Sequence, residues 1–288
     1  MGMSRLCYLN GEILPLDEAR ISPMDRGFLF GDGAYEVIPA YDGRPFRLPE
    51  HLRRLDQTLE GIRLPNPHSH AEWAAMIARL LEAAGGGDAG VYLQVTRGVP
   101  EVRDHAFPLD ARPTVFMTVS PLPAPLGPEA GEGASAIRLR DNRWGRCDLK
   151  TTALLPNVLL RQEAIEAGAD EALLLRDGQL TEGAASNVFV VCNNEVMTPR
   201  QSPNLLPGVT RDFVVELLRE RGVPCQCSAI SADQLARADE IWLTSSTKEV
   251  LPVTRLDGEP VGDGRPGAFW RQARTWFDEY KAAFAAGE

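Results

Sequence analysis

A chain of 288 residues with 44% hydrophobic content is long enough for one or two domains, each with a sizeable core. Its net charge of -10 and pI near 5.0 leave no strongly basic field, which argues against nucleic acid or an anionic membrane as the main partner. Neither a signal-peptide pattern nor an apolar run long enough to cross a bilayer is visible, so a cytoplasmic protein is expected.

Leu6–Leu9 and Glu12–Leu14 flank Asn10-Gly11, a dipeptide suited to the positive φ angles of a tight turn, and predict an opening hairpin. Glu36–Tyr41 and Pro45–Leu48 around Asp42-Gly43 predict a second. Pro49 precedes a run with Leu52, Leu55, Leu59 and Ile62 at helical spacing, which carries Arg53 and Arg54 near its start. A helix over Trp73–Ala84 ends at Gly85-Gly86-Gly87, and Val91–Thr96 and Thr114–Val119 read as strands. From Ser120 to Ala134 repeated proline and glycine suit an extended connector. The expected division is therefore an N-terminal α+β domain over 1–119, a connector over 120–134 and a C-terminal α+β domain over 135–288.

Beyond the connector, strands are expected at Ala136–Arg140, Glu171–Leu175, Gln179–Leu180, Asn187–Val191 and Ile241–Thr244. Helices are expected at Ala153–Ala167, Thr210–Arg221, Ala232–Ala236 and about Ala268–Ala283. Ser231 with Gln234 three residues on makes a capping box for the short one. Hairpins mixed with helices, without regular βαβ alternation, favour an α+β fold over a doubly wound sheet. The five scattered cysteines read as reduced thiols, since Cys225-Gln226-Cys227 lacks the second ligand pair of a zinc site. His68 and His70 sit in a proline-containing loop without metal-motif spacing, so no metal is expected.

Lysine occurs only at Lys150, Lys248 and Lys281, which leaves few candidates for amine chemistry. Lys150 follows Arg143-Trp144-Gly145-Arg146-Cys147-Asp148-Leu149, where nearby guanidiniums and partial burial would lower its pKa and free the amine to attack a carbonyl carbon. Taken alone, such a lysine is ordinarily a solvated side chain at a loop-to-helix junction. Glu182 stands at the mouth of Thr181-Glu182-Gly183-Ala184-Ala185-Ser186, before an apolar strand. A carboxylate there can keep a ring nitrogen protonated, although the same residues suit a plain turn. In Leu205-Leu206-Pro207-Gly208-Val209-Thr210 a loop enters a helix, where the Val209 and Thr210 amides and the Thr210 hydroxyl suit an anion. Thr244-Ser245-Ser246-Thr247 adds hydroxyls at a strand end. Together these are what pyridoxal 5'-phosphate (PLP) chemistry needs: an amine for a Schiff base, a carboxylate for the ring nitrogen and phosphate sites.

On these residues the chain resembles the class IV, or fold type IV, PLP-dependent aminotransferases, a family of D-amino-acid aminotransferases, branched-chain aminotransferases and aminodeoxychorismate lyases. The resemblance runs through Arg26-Gly27-Phe28-Leu29-Phe30-Gly31-Asp32-Gly33-Ala34-Tyr35-Glu36, through Glu50-His51-Leu52-Arg53-Arg54-Leu55, and through the Lys150, Glu182 and Gly208-Val209-Thr210 segments. It implies a two-domain α+β fold and a homodimer with shared active sites. It also implies that Lys150 forms the Schiff base and carries the proton, and that Glu182 holds the pyridine nitrogen. Arg54, Val209, Thr210 and Ser246 would bind phosphate, and Leu206 would pack on the ring.

Within the family, Arg103-Asp104-His105 after a strand, together with Tyr35, resembles the carboxylate trap of D-amino-acid aminotransferases, which reaches into the neighbouring subunit's site. A guanidinium fork can hold a carboxylate by two parallel bonds and an imidazole can add a third. The function implied is a D-amino-acid:2-oxo-acid aminotransferase of the D-alanine/2-oxoglutarate type. An (R)-selective amine transaminase, a branched-chain L-aminotransferase and an aminodeoxychorismate lyase are alternatives, as is a PLP-binding protein without turnover. Ala184 and Ala185 stand where hydroxyl residues often occur in the family, and Pro39 and Pro207 replace more polar residues, which bears on substrate range.

Overall fold

The computed structural model describes residues 5–110 and 112–287. It divides into two compact units, Met1–Leu122 with Leu149–Leu154, and Pro123–Asp148 with Leu155–Glu288.

In the first unit, β1 (Leu6–Leu9), β2 (Glu12–Pro15), α1 (Arg26–Phe30), β3 (Gly33–Tyr41), β4 (Arg44–Pro45), α2 (Leu48–Gly61), α3 (His70–Ala83), β5 (Ala89–Thr96) and β6 (Thr114–Pro121) follow in order. The six strands pair antiparallel throughout, in the order β2-β1-β6-β5-β3-β4. Both hairpins turn on the expected dipeptides, with φ of 48° and 111° at Asn10 and Gly11 and of 49° and 71° at Asp42 and Gly43. The second hairpin is shorter than Pro45–Leu48 predicted. Arg47 enters the left-handed region at φ 53° as the N-cap of α2, which ends the strand and starts the helix at Leu48. The core joins Leu52, Leu55 and Leu59 of α2 and Trp73, Ile77 and Leu80 of α3 to Ile38, Val91, Leu93 and Val95 of the sheet. Each such fully buried side chain contributes about 1.5–3 kcal/mol. The second helix starts earlier than Trp73, because Ser69 and Glu72 form a reciprocal capping box.

The second unit holds β7 (Ala134–Arg140), α4 (Leu155–Glu166), β8 (Glu171–Arg176), β9 (Gln179–Gly183), β10 (Asn187–Cys192), β11 (Glu195–Pro199), α5 (Val209–Glu220), β12 (Cys225–Ser228), α6 (Ala232–Ala236), β13 (Glu240–Ser245), β14 (Glu249–Leu256), β15 (Glu259–Pro260) and α7 (Ala268–Ala286). Its sheet runs β12-β11-β10-β13-β14-β7-β8-β9, with β15 on β14. Three pairs are parallel, β11 with β12, β14 with β7, and β7 with β8, and the first and last make βαβ crossovers through α5 and α4. One sheet face buries Val188, Val190, Ile241, Leu243 and Leu173, while Leu160 and Ala164 of α4 pack with Ala172 and Leu174.

The connector forms no helix or strand between Leu122 and Gly133, and Arg271 of α7 donates to the carbonyls of Pro128 and Ala130. The division departs from the sequence expectation at the lysine. Leu149–Leu154, assigned by chain order to 135–288, belongs by its contacts to the first unit, and α4 begins only after it, at Leu155.

Candidate active site

Lys150 is fixed by backbone bonds to the first unit. Its N–H donates to Thr58 Oγ1 at 3.2 Å and its carbonyl accepts from the Tyr35 amide at 3.0 Å. Ala34 and Thr151 form a bridge, and Thr152 donates its N–H to Gly33 and its hydroxyl to the Gly31 carbonyl. Gly31 caps α1 in the left-handed region at φ 65°, and a Cβ there would lie 3.0 Å from Ala153 Cα, so the close approach of the segment requires glycine. These bonds put the Lys150 ammonium 4.2 Å from the centre of the Tyr35 ring, which itself stacks on Tyr92 at 5.7 Å.

Thr58 lies one turn along α2 from Arg54, so the helix presents both toward the Lys150 segment. Arg54 is buried and forms a bidentate pair with Glu36, Nε and Nη2 each donating across 2.8 Å. His51 bonds the same carboxylate through Nδ1 at 2.8 Å. Burial depresses the His51 pKa against the pull of Glu36, whereas Glu36, although fully buried, is held far below the usual carboxylate range by Arg54 and His51. The Glu36–His51–Arg54 cluster is one that sequence reasoning left unassigned beyond Arg54. The signal was there, in an acid on a strand and a His-x-x-Arg helical repeat, but nothing in the chain order pairs them.

Arg103 and His105 occupy an irregular loop after β5, and both are exposed. They share one support. The Arg103 guanidinium lies 4.8 Å from the Phe30 ring centre, and the His105 ring lies 5.2 Å from it.

In the second unit, Glu182 at the end of β9 is buried and receives three hydrogen bonds. Arg143 Nη1 donates to Oε1 at 2.6 Å, and the Leu206 amide and Asn187 Nδ2 donate to Oε2 at 3.0 and 3.2 Å. Burial pushes its pKa up to about 7 against the opposing pull of Arg143. A carboxylate has about four acceptor positions, so one remains for a further donor. Arg143 also grips Asp141 through Nε and Nη2, at 2.9 and 3.0 Å. The guanidiniums counted beside Lys150 in the sequence are thus tied to their own carboxylates, Arg143 to Asp141 and Glu182, and Arg146 to Asp148.

Asn187 links Glu182 to the start of α5, since its amide also donates to the Leu206 carbonyl at 2.9 Å. Gly208, the N-cap of α5, makes no side-chain cap, and a Cβ on it would fall 1.9 Å from Asn187 Oδ1. Val209 and Thr210 therefore open the helix with uncapped amides, and both are buried. Asn187 faces Thr244 across the β10–β13 pair, and the buried Thr244 hydroxyl has no hydrogen-bond partner. Ser246 lies half-buried in the turn that follows β13. Of the alanines that replace hydroxyl residues, Ala184 is buried, its carbonyl accepting from Asn157, and Ala185 is exposed.

Residues 33–256 match the amino-transferase class IV family model. The chain is 40% identical to the D-alanine aminotransferase of Bacillus licheniformis over 92% of its own length and 93% of that protein. Its fold matches the branched-chain amino acid aminotransferase of Escherichia coli at a TM-score of 0.86, with 27% identity over 96% of this chain and 94% of that one. It also matches the fold of a Mycobacterium tuberculosis hypothetical aminotransferase solved in a PLP-bound form, at a TM-score of 0.82 and 24% identity, over 96% of this chain and 99% of that one.

Proposed function

The chain belongs to the class IV aminotransferases, and from that premise we propose that it is a PLP-dependent D-amino-acid:2-oxo-acid aminotransferase acting through Lys150. The observation that carries the choice of donor is the placing of Arg103 and His105 on one exposed loop against one ring, Phe30, where a guanidinium fork and an imidazole can hold a single carboxylate. The 40% identity to a D-alanine aminotransferase supports the same reading.

The residues of the second unit fit PLP. Glu182 is a buried carboxyl with one acceptor position left, and its pKa near 7 makes it receptive to a proton or a cation. The uncapped start of α5 and the orphaned Thr244 hydroxyl suit a phosphate. When bound, the cofactor supplies a carbonyl for the lysine amine and an electron sink for the bond broken at the substrate α-carbon. Glu182 would hold the ring N–H. The Val209 and Thr210 amides, the Thr210 hydroxyl and Ser246 would hold the phosphate oxygens, and Leu206 would pack against the ring. Arg103 and His105, reaching from a second copy of the chain, would bind the substrate carboxylate together with Tyr35 and so orient the Cα–H bond. Lys150 Nζ would take and carry the proton of the substrate Cα.

The assembly we propose is a homodimer in which the loop carrying Arg103 and His105 serves the partner's site. Leu155, Val158 and Leu159 form an exposed apolar stripe on α4, 68%, 57% and 59% accessible, of the kind a second copy would cover. Five free thiols suit a reducing cytoplasm.

The likeness to a branched-chain enzyme favours one second reading, an L-branched-chain donor. Initial rates with 2-oxoglutarate as acceptor separate the two. D-alanine is expected to be the better donor, and pyruvate release beyond one equivalent per site to require the acceptor. Preference for L-leucine, or continued multiple-turnover pyruvate release without an acceptor, would overturn the proposal.

A further inference from the structure

We infer that Arg26, anchored by Asp32, is a positioning residue that sets the loop carrying Arg103 and His105, with Arg97 and Phe107 as the second half of the same clamp. The inference rests on the reading of Arg103 and His105 as the holders of the substrate carboxylate.

The clamp begins with the shortness of α1. Asp25 caps it by accepting from the Gly27 amide, and Gly31 ends it in the left-handed region, so the chain folds back and Asp32 meets Arg26. Arg26 Nε donates to Asp32 Oδ2 at 2.7 Å. The guanidinium, only 4% exposed, then fans onto three consecutive carbonyls of the loop. Nη1 donates to Asp104 at 2.5 Å and Ala106 at 3.1 Å, and Nη2 donates to His105 at 3.2 Å. Arg26 also stacks on Phe30, the ring that supports Arg103 and His105.

On the other side, Asp32 receives Nε and Nη2 of Arg97 at 2.8 and 3.0 Å. Arg97 is in turn fixed to the carbonyls of Ile62 and Arg63. Its guanidinium lies 3.8 Å from the centre of the Phe107 ring, and Arg63 lies 4.9 Å from the same ring. Between Arg97 and Thr114 the described residues form no helix or strand, so the loop owes its shape to groups outside it. One half-buried carboxylate thus ties two arginines together, one holding the loop backbone and the other its apolar anchor. A carboxylate trap held out of place binds the substrate more weakly, and KM reports that loss where chemistry is slow relative to dissociation.

The test uses the PLP-loaded full-length protein as Arg26→Lys, which keeps a cation on Asp32 but cannot reach three carbonyls, and as Phe107→Leu. Two readouts are compared with wild type: the KM and kcat for D-alanine, and the rate of tryptic cleavage after Arg103, mapped by mass spectrometry. Arg26→Lys is expected to raise the D-alanine KM about fivefold or more with kcat within about threefold, and to speed cleavage about fivefold. Phe107→Leu is expected to move both in the same direction by less. Should Arg26→Lys not accumulate as folded protein, Phe107→Leu decides alone, because its ring is partly exposed. Wild-type KM and cleavage rate in both variants, with a raised KM in Arg103→Ala, would overturn the clamp and leave the carboxylate reading standing. An unchanged KM in Arg103→Ala would instead reject the carboxylate reading, and faster cleavage in Arg26→Lys would then still uphold the clamp.

Discussion

Arg143 donates to Glu182 across 2.6 Å, and yet the Glu182 carboxyl stays near pKa 7 because its burial outweighs that partner. The consequence is a pH-dependent stability with a definite sign. Between pH 4.5, its ordinary value, and about 7 the folded chain keeps a proton that the unfolded chain has released, so stability falls as pH rises through that window. The loss attributable to this group is at most about 3 kcal/mol. Denaturant unfolding of cofactor-free protein at pH 5 and pH 8 is expected to show a smaller loss in Glu182→Gln than in wild type. Equal losses would mean that Glu182 is ionised throughout.

Gly208→Ala tests the coupling of the α5 start to the ring-nitrogen site. A Cβ 1.9 Å from Asn187 Oδ1 must push Asn187 away from Glu182 and from the Leu206 carbonyl. We expect weaker PLP affinity by about tenfold, the equivalent of about 1.4 kcal/mol, in a fluorescence titration. Unchanged affinity would show that the backbone yields without moving Asn187.

Glu36→Ala should be among the most damaging single changes in the first unit. It strips a buried arginine of its bidentate partner and leaves His51 without an acceptor, which costs about 3–5 kcal/mol. The urea midpoint measures it, and a loss below about 1 kcal/mol would mean that water reaches Arg54.

Lys150→Ala should leave no borohydride-reducible lysine adduct and reduce turnover by about a thousandfold or more. The remaining lysines have other work, Lys248 lying 3.5 Å from Glu171 and Lys281 bonding Glu249 at 3.0 Å. A persisting adduct in the variant would move the amine elsewhere.

Local signals in the chain were good guides to local structure. Asn10-Gly11, Asp42-Gly43 and the Ser231–Gln234 capping box all act as their chemistry predicts. The strands β11, β12, β14 and β15 went unread, although Asn193-Asn194 and Asp257-Gly258 adopt the same positive φ angles and mark two of their turns. Pro252 within β14 hid that strand, since proline argues against a central position. Family motifs singled out Lys150 and Glu182 as candidates. They could not show that Arg143 serves Glu182, that Glu36 holds Arg54, or that Lys150 is fastened to α2 and β3. Those relations join residues far apart in sequence and arise only from packing.

The most direct test of the central claim is the visible spectrum of the PLP-loaded protein after separate additions of D-alanine and L-alanine without acceptor. The account predicts conversion of the cofactor to its pyridoxamine form with the D-isomer alone. Conversion by L-alanine alone, or by neither isomer, would contradict it.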